Sequence, residues 1–208
     1  MTKYERYQDY VIKDGKLIGE FEQMYQDFED PWEQTLHEKN ASEKIVCVNL
    51  IKKFSLNNII EIGCGFGHLT NQVSKVCKSI IGIDISATAI DTAKKRYKNC
   101  KFEVSNFSNF EMLKTLKPDC IIMSEVTWYV LDYLDDFILF LKKEMPNTIL
   151  IHMLTTYNNQ SQTYGADKFT NLNEIKNYFG MNYIESGEIE SQDSSGSKRT
   201  YFIGKYAN

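Results

Sequence analysis

The chain has 208 residues, 42% hydrophobic and 13% aromatic, which is enough for one substantial core and too little for two large ones. Its net charge is −4 with Lys and Arg scattered along the chain. That argues against nucleic acid, which needs clustered positive charge, and no apolar run approaches the roughly 18 residues of a membrane helix. Five cysteines (Cys47, Cys64, Cys77, Cys100 and Cys120) form no C-x-x-C pair, so neither a disulfide framework nor a zinc site is expected. With a polar N-terminus unlike a secretory signal, they read as free thiols of a cytoplasmic protein.

In chain order, residues 16–27 and 38–54 carry helix-like patterns, and the link between them contains Asp30-Pro31-Trp32. Residues 1–55 are therefore expected to form an N-terminal helical cap on a core spanning 56–208, the whole making a single domain. From residue 57 short β-rich runs alternate with helix patterns, the mark of βαβ units and a mainly parallel sheet. Residues 58–62 read as a strand and 68–77 as a helix. Residues 79–83 read as a second strand ending at Asp84, with Ser86 capping a helix to about Tyr97. Residues 101–104, 119–123 and 147–154 are further strands, and 132–143 is a helix. Residues 155–167 are polar and aromatic with no period. A short helix over 172–179, capped by Asn171, precedes a candidate hairpin of 183–190 and 199–206 around a Ser/Gly/Asp loop.

The strongest local signal is Glu61-Ile62-Gly63-Cys64-Gly65-Phe66-Gly67-His68, a glycine turn between a strand and a helix. Such a turn lets a ligand approach the backbone, and the helix N-terminus offers free N–H groups. The spacing is G-x-G-x-G, one residue shorter than the dinucleotide fingerprint. Asp84 ends the next strand, where a carboxylate can accept both hydroxyls of a ribose.

These residues resemble the class I S-adenosylmethionine-dependent methyltransferases. Glu61 to Gly67 looks like their first motif and Gly82-Ile83-Asp84-Ile85-Ser86 like their second. Ser105-Asn106-Phe107 lies where the family places adenine contacts, with Asn106 at a position commonly Asp. Ile122 to Tyr129 resembles the fourth motif. Asp30-Pro31-Trp32 followed by Glu38-Lys39, with Ser124-Glu125-Val126, looks closest to the NodS-like branch. That branch holds N-methyltransferases of amino sugars and relatives encoded with bacterial surface-polysaccharide enzymes. The resemblance implies a Rossmann-like three-layer α/β sandwich with an antiparallel C-terminal strand. It also implies S-adenosylmethionine as cofactor, and transfer to O or N of a small acceptor, carbohydrate-linked or phosphorylated.

The resemblance assigns Glu61, Gly63, Cys64, Gly65, Gly67, Asp84, Ile85, Asn106, Phe107, Glu125 and Trp32 to the cofactor. Asn106 and Phe107 are either adenine contacts or loop packing, and Trp32 is either a lid or a core anchor. Glu125 either orients the sulfonium, binds the acceptor, acts as base, or caps a backbone N–H. His152, inside a strand, is either a satisfied core residue or the best general-base candidate. Trp128 and Tyr129 either wall the acceptor pocket or bury themselves; Tyr157, Gln162 and Tyr164 lie in the irregular loop and suit a sugar-like acceptor. His37 is expected to be exposed and His68 to neighbour the cofactor. No metal is expected. A nicotinamide-dependent oxidoreductase is the alternative enzyme, weakened by the early third glycine. A non-catalytic binding module on the same scaffold is the other alternative.

Overall fold

The computed structural model describes residues 2–35, 41–157, 163–190 and 197–207. His37, Gln162 and most of the Ser/Gly/Asp loop lie outside the described residues.

The N-terminal segment starts with a 3-10 turn, Tyr7–Tyr10, then strands β1 (Ile12–Lys13) and β2 (Lys16–Leu17), helix α1 (Phe21–Asp27) and helix α2 (Ser42–Lys53). The helix expected over 16–27 thus begins only at Phe21. Asp14 and Gly15 both have positive φ (51° and 72°), the backbone of a two-residue hairpin turn, and this pairs Ile12 with Leu17. The second expected helix is observed from Ser42, with Ala41 extended as its N-cap; residues 38–40 lie outside the described residues.

The main sheet contains β3 (Asn58–Ile62), β4 (Ser79–Asp84), β5 (Lys101–Val104), β6 (Cys120–Ser124), β7 (Ile149–Tyr157), β8 (Asn182–Glu190) and β9 (Ser197–Lys205). Between them lie α3 (His68–Val73), α4 (Ala87–Arg96), α5 (Phe110–Leu116), α6 (Leu131–Glu144) and α7 (Leu172–Phe179). The strand order is β5-β4-β3-β6-β7-β9-β8. Strands β3 to β7 pair in parallel, and β9 runs antiparallel between β7 and β8. This is the expected Rossmann-like arrangement. Helix α3 is shorter than expected, and α5, which the sequence reading passed over, is capped by Asn109, whose side chain accepts from the Met112 N–H.

Alternate residues of each central strand face opposite layers. Ile59, Cys120, Ile122, Ile151 and Ile203 pack with Cys47, Leu50 and Ile51 of α2 and Leu69 and Val73 of α3. Ile60, Ile121, Met123, Leu150 and Phe202 pack with residues of α5, α6 and α7. Burial on both faces explains why these strands read as continuous apolar runs. All five cysteines are free. No helix of the described residues is long and apolar enough to cross a membrane.

His152 belongs to this core, which corrects the expectation of a base. It is 0% exposed, and its Nε2 sits 2.8 Å from Thr127 Oγ1. Its ring stacks on Phe202 at 4.8 Å, with Phe179 at 4.9 Å. Burial holds its pKa down at about 3, from an ordinary 6.5. Strand β7 alternates, and His152 faces the helical layer of Phe179 instead of any opening.

Two outcomes follow for stability. Phe137 is fully buried between Phe107 and Phe110, so Phe137→Ala is expected to cost about 3–5 kcal/mol in a urea titration. For His152 the folded pKa lies below the unfolded one, so between those two values the unfolded chain takes up a proton that the folded chain refuses. Its presence therefore destabilises the fold as pH drops through the unfolded pKa. The stability of the wild type relative to His152→Gln should fall by up to ~1.4 kcal/mol per pH unit between about pH 6 and 4. A constant difference over that range in denaturation series would contradict a buried, neutral imidazole.

Candidate active site

The order of the sheet reverses between β3 and β6: the chain runs outward through β4 and β5 on one side, and through β7 on the other. Open α/β sheets bind ligands at the carboxyl ends beside that reversal. A cavity of about 910 Å³ lies there. Its floor comes from the ends of β3 to β7, at Gly63, Asp84, Ser105, Glu125 and Thr155. Its roof comes from the N-terminal segment, through Tyr7, Phe21, Tyr25, Trp32 and Gln34.

The glycine turn is held from several sides. Gly63, Gly65 and Gly67 have φ of 72°, 51° and 78°, a region that penalises side chains. A Cβ at Gly63 would come within 2.7 Å of Val126, and at Gly67 within 2.5 Å of Phe102. At Gly65 it would meet Gln34 at 2.5 Å and the Tyr25 hydroxyl at 3.0 Å. Gly63 and Cys64 line the cavity, whereas Gly65 and Gly67 do not. Gly67 serves the packing of Phe102 and α4; Gly65 serves the N-terminal segment, and its N–H reaches Asp84.

Asp84 is 8% exposed and lines the cavity. Its Oδ2 accepts from the Gly65 N–H (2.8 Å) and its Oδ1 from the Ser86 N–H (2.9 Å). Burial raises its pKa, and the backbone N–H groups of Ser86, Gly65 and Ile85 oppose the rise. Each oxygen keeps a lone pair for another donor. Ile85 beside it is 51% exposed and lines the cavity, as does Phe107. Asn106 also lines the cavity, but its Oδ1 already accepts from the Ser108 N–H (3.1 Å) and hydroxyl (3.2 Å). Both lone pairs of that oxygen are taken locally, so it does not accept from a further donor in this geometry, and the N–H₂ group is what remains for an adenine contact.

Glu61 is 3% exposed and receives a short hydrogen bond from the Thr70 hydroxyl. Burial pushes it up to about 7, against the pull of Thr70 and Lys44. His68 follows the turn, as expected of a neighbour of the site, and lines the cavity. Arg96 lies 3.1 Å from its Nε2 and can only donate, so Nδ1 carries the proton toward the Tyr97 oxygen at 2.6 Å.

Glu125 has φ of 58° just beyond β6. Its Oε2 accepts from the Thr155 N–H (2.9 Å) and its Oε1 from the Thr155 hydroxyl (3.0 Å), so it ties the ends of β6 and β7 together while facing the cavity. Burial raises its pKa beyond what the Thr155 bonds restore. Nearby, Arg199 Nε of β9 lies 3.2 Å from Glu43 Oε2 of α2; that oxygen is buried and receives no hydrogen bond. Tyr129 and Tyr157 line this end. Trp128 and Tyr164 do not. The Trp128 indole donates to the Thr155 carbonyl (2.9 Å) and packs on Phe169, and Tyr164 packs on the same core.

Trp32 lines the cavity and packs on Tyr7 at 5.1 Å and Tyr129 at 5.6 Å, so it is both roof and anchor. The sequence reading missed Tyr7, Tyr25, Gln34, Glu43 and Arg199. They share no motif: Tyr7 and Gln34 come from the N-terminal segment outside its α-helices, Tyr25 from α1, Glu43 from the start of α2 and Arg199 from β9.

Comparison with known proteins accords with this geometry. A ubiquinone biosynthesis O-methyltransferase of Pelagibacter ubique is 30% identical over 137 residues, 59% of this chain and 57% of that protein. Nodulation protein S of Sinorhizobium fredii is 26% identical over 112 residues, 50% of this chain and 49% of that protein. The chain thus spans about half the length of these curated relatives. In fold it is similar to the N-methyltransferase NodS of Bradyrhizobium japonicum, solved in complex with S-adenosyl-L-homocysteine, with a TM-score of 0.66 and 17% identity over 90% of this chain and 98% of that one. The family model described as a methyltransferase domain matches residues 53–192, more than half of the chain, and the chain belongs to that methyltransferase family.

Proposed function

We propose that this methyltransferase uses S-adenosylmethionine and methylates O or N of a small, carbohydrate-like acceptor that is uncharged or cationic. The observation that carries the reading is Asp84: a buried carboxylate on the cavity wall, fixed by two backbone N–H groups, with lone pairs left for the two hydroxyls of a ribose. The donor set around it suits the rest of that cofactor. Ile85 and Phe107 offer apolar faces for a purine, and Asn106 offers an N–H₂ donor at its edge. The carboxylates Glu61 and Glu125 stand where positive charge on the amino-acid portion and the sulfonium would be favoured. Cys64 contributes its place in the turn, since burial raises its thiol pKa well above the ordinary value.

Bound S-adenosylmethionine supplies a methyl group on a sulfonium: the acceptor atom forms its bond to carbon as the carbon–sulfur bond breaks, leaving a neutral thioether. The protein's task is orientation of the acceptor on that axis and exclusion of water. Tyr129, Tyr157 and Trp32 provide aromatic walls for a sugar-like ring. Glu43 lines the same end, with its Oε2 held 3.2 Å from Arg199 Nε. With His152 sealed in the core, Glu125 is the group best placed to take a proton, and its raised pKa favours that role. Among the described residues, four carboxylates line the cavity (Glu43, Glu61, Asp84 and Glu125) against Lys44 and Arg199. This balance speaks against the phosphorylated acceptors that the resemblance also allowed. The free thiols support a reducing, cytoplasmic setting.

Calorimetric titration with S-adenosylhomocysteine tests the reading. The wild type should bind, and Asp84→Ala should weaken binding about a hundredfold or more, the scale of two charge-assisted hydrogen bonds. A folded wild type that binds no S-adenosylhomocysteine would sink the proposal.

A further inference from the structure

Asp84 is held by two N–H groups, and each is itself positioned by the N-terminal segment. On one side is Ser86, the N-cap of α4. Its hydroxyl oxygen accepts from the Ala89 N–H (3.1 Å), and its hydroxyl proton goes to Glu22 Oε2 of α1 (2.7 Å). The same carboxylate accepts from the Thr88 N–H (3.2 Å) and, through Oε1, from the Thr88 hydroxyl (2.7 Å). Glu22 therefore caps the first turn of a helix more than sixty positions away in sequence. On the other side is Gly65, and the N–H of the next residue, Phe66, donates to Gln34 Oε1 (2.9 Å). Tyr25 of α1 packs on the Phe66 ring at 5.2 Å.

Charge alone does not account for Glu22. Burial works against its ionisation, yet the Thr88 and Ser86 hydrogen bonds prevail and hold it at about 2, so it is ionised. It then repels Asp84, whose pKa it helps to raise. An anion beside the ribose-binding carboxylate costs electrostatic energy, and what it provides in return is geometry. It fixes the hydroxyl rotor of Ser86 and the first turn of α4, and with them the N–H that aims Asp84. Neither Glu22 nor Gln34 lies within residues 53–192, the span the family model matches.

We propose that Glu22 is a positioning residue for Asp84, acting through Ser86, so that the N-terminal segment sets cofactor affinity from outside the matched domain. The inference rests on the S-adenosylmethionine reading given above. It is tested by calorimetry with two probes: S-adenosylhomocysteine and its 2′,3′-dideoxyribose analogue, which gives Asp84 no hydroxyls to hold. Glu22→Ala should weaken S-adenosylhomocysteine about tenfold and leave the affinity of the dideoxy analogue unchanged. Glu22→Gln, which keeps one acceptor oxygen, should fall between wild type and Glu22→Ala. Lys3→Ala, which removes the Lys3–Glu20 ion pair of the same segment, should have no effect on either probe. An equal loss for both probes in Glu22→Ala would mean a loosened roof and overturn the proposal, as would no loss at all. Wild-type protein that binds neither probe would instead remove the cofactor reading itself, and this inference with it.

Discussion

A carboxylate at the end of a buried parallel strand is the constraint around which the rest of this molecule is arranged. Asp84 sits at the tip of β4, away from bulk water, where an unpaired charge would be strongly disfavoured. Two backbone N–H groups hold it. One belongs to a turn that must reverse the chain with positive φ at three glycines, and the other to the N-cap of α4. The glycine turn and the strand-end acid are thus one device: the turn is what makes the acid tolerable. The acid in turn keeps the Gly65 N–H, which no helix satisfies, from being stranded.

The same cavity gathers more negative charge than positive, and its ionisation reflects that. Burial raises Glu61, Asp84 and Glu125 together, and part of each rise comes from another carboxylate: Asp84 acting on Glu61, Glu22 on Asp84, Glu43 on Glu125. Lys44 and Arg199 offset this only at the Glu61 and Glu125 ends. A cavity in this state favours a ligand bearing positive charge and donor groups. On the proposed reading both requirements are met by one cofactor together with a neutral or cationic acceptor.

The core strands and the site floor were legible in the sequence because both depend on local pattern. Strands buried on two faces are mostly apolar, and a turn where an added Cβ would strike Val126 or Phe102 takes glycine, so β3, β4, β6 and the turn after β3 announce themselves. The roof was not legible. Tyr7 and Gln34 lie outside the α-helices of the N-terminal segment and Tyr25 on the short helix α1, and the partners of Tyr25 and Gln34 (Phe66 and Gly65) are distant in sequence. The two-residue strands β1 and β2 pair only because Asp14-Gly15 turns the chain, a signal overridden by the helix-like spacing that follows. Helix α5 is seven residues long and depends on the Asn109 cap more than on periodicity. His152 misled for a different reason. A titratable residue in a strand advertises chemistry, yet the side of the pleat on which it falls decides its role, and here that side faces Phe179 and Phe202.

The roof also explains how the two ends of the cavity are joined. Tyr129, in the turn after β6, packs against Phe21 at 5.4 Å and Trp32 at 5.6 Å, and Trp32 packs against Tyr7. Phe21 is adjacent to Glu22, and Trp32 is two residues from Gln34. The aromatic contacts around Tyr129 are therefore carried by the same short segments whose polar side chains brace the Asp84 end. Apolar contacts of this kind are individually weak and non-directional, whereas the Glu22 and Gln34 hydrogen bonds are directional. The polar pair fixes where the segment sits, and the aromatic rings fill the space that this placement leaves. Displacement of the segment at one end would disturb the other, because Phe21 and Glu22 share one turn of α1.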